Sequence, residues 1–370
     1  MTLIAGFMND ECPIIMGDIL ISNSTESDKE LVFPTVGKVS AKHLSKGQYR
    51  PSKLRQKVNL LSPQLAIAWS GRRIYAQSFM RELIKAGLHK NPSREAMHDI
   101  YNDICSQGEE SIIGIYRNGK EICLFGFNAL TMEAPDQFSW FQAAGTGYLG
   151  LLKLISDMDA TVTSGVPNKL DKGIATAVHI ITALLSAEIM TAIPLQDLYG
   201  AGYEILHPLG SRLAKFTGLS YIFWHAEEKE PGNWRLQPFP FLVNNYSYQD
   251  DILVIRSVRI SSHVNANSCK IDSDELHVVT PLYRDTDYSE IVGYSPTSLN
   301  SQYSCNIFLW KNHHDSMGAF STYGRYANQS PPLRWTNEFN RNEGIDVNLE
   351  FVKNSMIKIA GNSAVKEKSG

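Results

Sequence analysis

Thr2, Asp18, Lys57 and Gly71 are the residues of this 370-residue chain whose types and spacing could do chemistry together. A threonine hydroxyl is a weak nucleophile and needs a base beside it. Methionine aminopeptidases remove Met1 before a small second residue, which would leave Thr2 with a free α-amine next to its own hydroxyl. An α-amine, with an ordinary pKa of about 7.7–8.0, can take a proton at neutral pH. Taken alone, Thr2 also reads as an ordinary strand residue. Asp18 follows sixteen residues later, within the apolar run CPIIMGDILIS. A carboxylate inside an apolar strand requires a cation, and Lys57, which opens KVNLL, is the candidate. The pair reads either as a buried structural ion pair or as a catalytic device. In the second case Lys57, fixed by Asp18, lowers the pKa of the Thr2 hydroxyl and stabilises developing charge. Gly71 lies fourteen residues beyond Lys57, at the end of AIAWSG. A backbone N–H at such a turn could serve an oxyanion.

The elements that must position these residues can be read from periodicity. TLIAGF and CPIIMGDILIS read as two strands around the polar turn MNDE. Residues 23–53, rich in Ser, Lys and Gly, read as a long loop. KVNLLSP and LAIAWSG read as two more strands. RRIYAQSFMRELIKAG has a helical period and ends at Gly87. SREAMHDIYNDICSQG repeats that pattern, with Ser93 as the N-cap. Asn118-Gly119, between two apolar runs, marks a type I′ hairpin. FSWFQAAG reads as a strand. YLGLLKLISDM and the segment from Gly173 to Met190 read as two helices, followed by strands in GAGYEILHPLG and LSYIFWHA. Strands, two helices, strands, two helices, strands is not the one-by-one alternation of a doubly wound sheet. It predicts two mainly antiparallel sheets with helices on both outer faces. The charged and Pro-rich stretch EEKEPGNWRLQPFPF predicts a boundary, giving domains over 1–235 and 236–370. The second part reads as short strands, VNLEFVKNSMIKI among them, with a polar tail VKEKSG.

Composition excludes several functions. The net charge of −3 comes with no face-sized basic cluster, so nucleic acid is not an expected partner. The five cysteines have no CxxC spacing, so neither a metal site nor a disulfide framework is expected. Their odd, scattered set suits reduced thiols in the cytoplasm. The N-terminus lacks the pattern of a secretion signal. The segment Gly173–Met190 is apolar but carries His179 and Glu188, and it reads as a buried helix rather than a membrane span. Gly145, Gly147 and Gly150 fit GxGxxG. No second parallel strand ending in an acid follows, so the motif predicts a tight turn and no dinucleotide cofactor.

In these residues the chain resembles the proteasome β-type subunits and the related bacterial ATP-dependent threonine peptidase, within the N-terminal nucleophile hydrolases. The Thr2–Asp18 and Lys57–Gly71 spacings match that family's, and GRRIYAQSFMRELI resembles the helix after its glycine. Gly145-Thr146-Gly147 resembles the turn whose hydroxyl supports the nucleophile's amine, and Asp197 in PLQDLYGAGYEI resembles the aspartate that assists it. The resemblance covers about residues 2–235. It implies a four-layer αββα sandwich with a β-rich C-terminal extension, and a threonine peptidase acting on peptides without cofactor or metal. It also implies a homo-oligomeric ring, with any partner unfoldase unidentified. Trp69 falls at the implied floor of the substrate pocket, though it also reads as a core aromatic; Ser22 and Arg73 are the other substrate-contact candidates. The chain departs from the family at Leu20, at Gly200, where a small hydroxyl residue is expected, and in the added length between Asp18 and Lys57. Two other functions stay open on these residues. One is an amidase for small molecules, its cleft closed by the long loop and Trp69. The other is a non-catalytic assembly subunit.

Overall fold

The computed structural model describes residues 2–9, 11–24, 30–105, 108–131, 138–157, 168–262, 269–284, 301–312, 314, 316–325, 333–336 and 344–367. The chain divides into two compact units, and the first takes Met1–Phe216, Tyr248–Leu253 and Val278–Val292.

The first unit opens with β1 (Ile4–Asn9) and β2 (Cys12–Asp18), both almost wholly buried. A short β3 (Leu20–Asn23) leads to β4 (Glu30–Phe33), β5 (Gly37–Ser40), a 3-10 turn at Ala41–Leu44 and β6 (Arg50–Leu54). Then come β7 (Val58–Ser62), β8 (Leu65–Ser70), α1 (Arg73–Lys85) and α2 (Arg94–Ile104). The sequence continues through β9 (Ser111–Asn118), β10 (Glu121–Phe127), β11 (Leu130–Thr131) and β12 (Trp140–Ala144). It closes with α3 (Tyr148–Asp157), α4 (Lys169–Thr191), α5 (Ile193–Gln196), β13 (Tyr203–Leu209) and β14 (Arg212–Lys215).

These strands form a six-stranded sheet in the order β11-β12-β1-β2-β13-β14 and a four-stranded sheet in the order β10-β9-β8-β7. Ile4 and Ile15 of the first sheet share one apolar cluster with Val58, Ala66, Ala68, Ile113 and Ile115 of the second. The contact is close: a β-carbon at Gly6 would stand 2.7 Å from Ile113 Cγ2, so only glycine lets the strands approach this far. Trp69, Ile67 and Leu65 pack with Ala76, Phe79, Met80 and Leu83 of α1 and with Met97 and Tyr101 of α2. Ser93 caps α2 by accepting from Ala96 N–H at 3.4 Å, and Glu121 pairs with Asn118 across the predicted hairpin.

The second unit takes Thr217–Ser247, Val254–His277 and Gly293–Gly370. Its strands are β15 (Leu219–Glu230), β16 (Asn233–Leu236), β17 (Leu242–Gln249), β18 (Ile252–Ser262), β19 (Cys269–Val279), β20 (Tyr303–Asn312) and β21 (Met317–Arg325). The ends of β17, β18 and β19 fall in the first unit. These seven make one sheet in the order β19-β18-β17-β15-β20-β21, with β16 on β15. The hairpin β22 (Leu333–Thr336) and β23 (Gly344–Val347) and the helix α6 (Leu349–Glu367) complete it. Val352, Met356 and Ala360 recur at four-residue spacing and are buried; the first two pack with Trp224 and Phe308.

Several expectations are corrected. The chain is a mixed α/β protein, about 49% strand and 26% helix, with several largely antiparallel sheets; a four-layer αββα sandwich is not what it shows. Seven of the strands after residue 217 make one sheet with its own apolar core, and they begin before the expected start of the β-rich part at 236. The stretch read as a domain boundary is the β15–β16 hairpin, because Pro231-Gly232 makes a turn between paired strands rather than a linker. The 23–53 segment contains β4, β5 and most of β6, which short length and sparse apolar residues hid. VNLEFVKNSMIKI is mostly helix, and α6 also takes the first half of the expected polar tail, whose last three residues lie outside the described ones. α4 is, among the described residues, the one helix long and apolar enough to cross a membrane, and most of it is buried within the protein.

Candidate active site

Thr2 and Leu3 prolong β1 past its last sheet pair, alongside the end of β2, where Asp18 N–H donates to Leu3 O at 2.9 Å. Both Thr2 and Asp18 are fully buried. The Thr2 hydroxyl donates to Asp18 Oδ1. The same carboxylate accepts the N–H of Leu3 at 3.0 Å, of Leu20 at 3.3 Å and of Gly200 at 3.0 Å. Four donors on one carboxylate fix its orientation. Burial still raises its pKa, against the pull of Lys57 and these hydrogen bonds.

Lys57 is buried at the start of β7, and Gly17 of β2 packs on it: a β-carbon there would lie 3.2 Å from Lys57 Cβ. Its Nζ sits 4.5 Å from the centre of the Trp69 ring. Burial brings its pKa down to about 8, and Asp18 and Glu204 oppose that shift. Glu204 of β13 anchors the start of β7, accepting Lys57 N–H at 2.9 Å and Val58 N–H at 3.2 Å. It is neutralised by Lys215 and bonded by Tyr248 Oη at 2.8 Å. The result is a lysine within electrostatic reach of the carboxylate that orients the threonine hydroxyl. Its ammonium and amine forms are close in energy near pH 8.

The glycine turn meets Thr2 directly. Gly147 N–H donates to Thr2 O at 3.2 Å, and a β-carbon at Gly145 would overlap that same oxygen. Gly145 also has φ +97°, a left-handed backbone that disfavours side chains. Gly145→Ala is therefore expected to push residue 2 off Asp18 and to destabilise the protein by at least about 2 kcal/mol, read as a fall in melting temperature.

Other sequence candidates sit differently. The Thr146 hydroxyl bonds the Asp197 main-chain oxygen at 3.0 Å. The Asp197 carboxylate, expected to assist the nucleophile, is instead paired with Lys46 at 2.6 Å and is partly exposed. Trp69 is fully buried, its ring in the α1–α2 core and its indole N–H on Gln56 O at 3.1 Å; these are the surroundings of a core aromatic. Gly71 directly follows β8 at φ +101°, where a β-carbon would strike the backbone of Glu109 and Glu110. Ser22 is half-buried at a register shift between β3 and β6, and Arg73 is exposed at the start of α1. Among the described residues no group of His, Cys, Asp or Glu could hold a metal ion.

One residue near the site was not picked out as a candidate. Glu188 of α4 is fully buried, accepts Ala201 N–H at 3.0 Å and is bonded by the Thr35 hydroxyl. Burial raises its pKa to about 8, and the Asp18 charge adds to the shift. An acid near the end of the apolar run GIATAVHIITALLSAEIM was the signal that could have found it. Glu188 also explains Gly200, because a β-carbon there, at φ +110°, would overlap its Oε2.

No family model matches the chain, and no curated protein matches it.

Proposed function

We propose that the protein is an amide hydrolase, a peptidase, whose nucleophile is Thr2 after removal of Met1. The observation that carries this reading is the buried Thr2 hydroxyl bonded to Asp18 while Lys57 lies in the same electrostatic cluster. In the proposed reaction Thr2 Oγ attacks the amide carbon and its proton passes to the freed α-amine. The C–N bond then breaks, the leaving amine takes that proton, and an ester on Thr2 remains. Water, deprotonated by the same amine, hydrolyses the ester and returns Thr2. Asp18 orients the hydroxyl, Lys57 supplies positive charge, and Gly71 N–H is the proposed oxyanion donor.

A peptide epoxyketone, which reacts with a hydroxyl and an adjacent free amine together, tests the reading. We expect mass spectrometry to find Met1 absent and one probe molecule on Thr2. Retention of Met1 in fully folded protein, or labelling elsewhere only, would overturn it.

A further inference from the structure

Residues 198–202 form a turn with unusual backbone geometry: Leu198 and Ala201 have φ +64° and +63°, and Gly200 and Gly202 have φ +110° and +133°. Left-handed conformations at non-glycine residues are held only where surrounding contacts demand them. Here the contacts are two buried carboxylates. Consecutive N–H groups diverge, Gly200 to Asp18 Oδ2 at 3.0 Å and Ala201 to Glu188 Oε2 at 3.0 Å. The far side of Glu188 is bonded by the Thr35 hydroxyl, from the added segment between β2 and β7. The same segment reaches the turn a second time through Lys46, paired with Asp197. Asp197 in turn offers its carbonyl to Thr146, whose neighbour Gly147 binds Thr2 O.

We propose that Thr35 and Glu188 are positioning residues for the Thr2 reaction, acting through the 198–202 turn on Asp18. The added segment is thus part of the machinery that aligns the nucleophile. Glu188 is suited to this because its two carboxyl oxygens bond opposite sides, the turn at Ala201 and the added segment at Thr35, and because among the described residues no ion pair to it is seen. It serves as a two-sided hydrogen-bonding post. Removing the Thr35 hydroxyl frees one side of the post, the turn relaxes, and the Gly200 N–H that orients Asp18 shifts. Misalignment at the nucleophile lowers the rate of bond formation and leaves ground-state binding alone.

The inference rests on Thr2 being the nucleophile, and the experiment separates the two claims. Thr35→Val, Thr35→Ser, Glu188→Leu and Glu188→Gln are compared with the wild type in epoxyketone labelling and in hydrogen exchange over residues 198–203. We expect Thr35→Val and Glu188→Leu to slow the maximal labelling rate by roughly tenfold or more, with the probe concentration for half-maximal rate within about twofold. Thr35→Ser keeps its hydrogen bond, and Glu188→Gln can still accept Ala201 N–H through its amide oxygen while its NH2 donates to the Thr35 hydroxyl oxygen, so both should recover to within about threefold of wild type. Exchange at 198–203 should rise in Thr35→Val while exchange in β9 and β10 stays unchanged. A full labelling rate in Thr35→Val, or no recovery in Thr35→Ser, would overturn the positioning role. Failure to label even the wild type would sink the nucleophile reading. In that event, unchanged exchange at 198–203 in Thr35→Val would overturn the structural coupling as well.

Discussion

Thr2→Ala is expected to abolish amide hydrolysis, lowering turnover by roughly a thousandfold or more, while the protein stays folded. The substitution removes the hydroxyl that donates to Asp18 but keeps the α-amine and the main-chain oxygen that receives Gly147 N–H. Asp18 loses one donor and retains those from Leu3, Leu20 and Gly200. A single lost hydrogen bond costs about 1 kcal/mol, too little to unfold a domain. Thr2→Ser keeps the nucleophile and should retain a measurable fraction of turnover. Rates on a panel of peptide amides, with thermal melts of each variant, check this. Wild-type rates in Thr2→Ala would end the assignment, and turnover confined to small amides would replace the peptidase with an amidase.

The second large effect is on stability. Glu188 titrates near 8 in the folded protein against an ordinary 4.5, because burial disfavours its charged form. Between those values the folded state keeps a proton that the unfolded state has released. The stability associated with that proton is complete below about 4.5 and is lost as pH rises through about 8. The buried Asp18 carboxyl, also raised, acts in the same direction from its own ordinary value upward. Lys57 behaves oppositely. Its pKa falls to about 8 from an ordinary 10.5, so above pH 8 the unfolded state binds the extra proton and stability rises with pH. Relative to Glu188→Gln, the wild type should lose on the order of 4 kcal/mol between pH 4.5 and 8. Relative to Lys57→Met, it should gain a few kcal/mol between pH 8 and 10.5. Denaturant unfolding of the three proteins across this range reads the effect. A flat difference between wild type and Glu188→Gln would show that Glu188 is ionised throughout.

Much of this arrangement was legible in the sequence, for physical reasons that also mark where legibility ended. Buried strands announce themselves by unbroken apolar runs, and β1, β2 and β8 fell where those runs lie. Asn118-Gly119 marked its hairpin, because few other dipeptides accept that turn. An acid in an apolar strand marked Asp18, and the same logic applied to α4 would have marked Glu188. What the sequence concealed depends on distant partners. Leu349–Glu367 has too weak an apolar stripe for its period to stand out, since its buried face is carried by Val352, Met356 and Ala360. Pro231-Gly232 has the same composition whether it joins domains or turns a hairpin; only pairing of Glu228 with Trp234 decides. Asp197 was placed by likeness to a motif, but Lys46, from a segment that motif lacks, claims its carboxylate. Gly200 looked like a lost hydroxyl and is a space reserved for Glu188.

The parallel pairing of β15 with β20 has a consequence for how the chain is made. Leu219 pairs with Tyr303 and Glu228 with Asn312, across more than eighty residues of intervening chain. Such contacts form late, because the connecting loop must close before they contribute. As the chain leaves the ribosome, β15 can pair at once with β16 and β17, but its other edge stays open until residues 303–312 arrive. An open edge on a long apolar strand is a template for pairing with other chains. Protein ending before residue 303 should therefore aggregate during synthesis, even though every proposed catalytic residue lies within its first 200 residues.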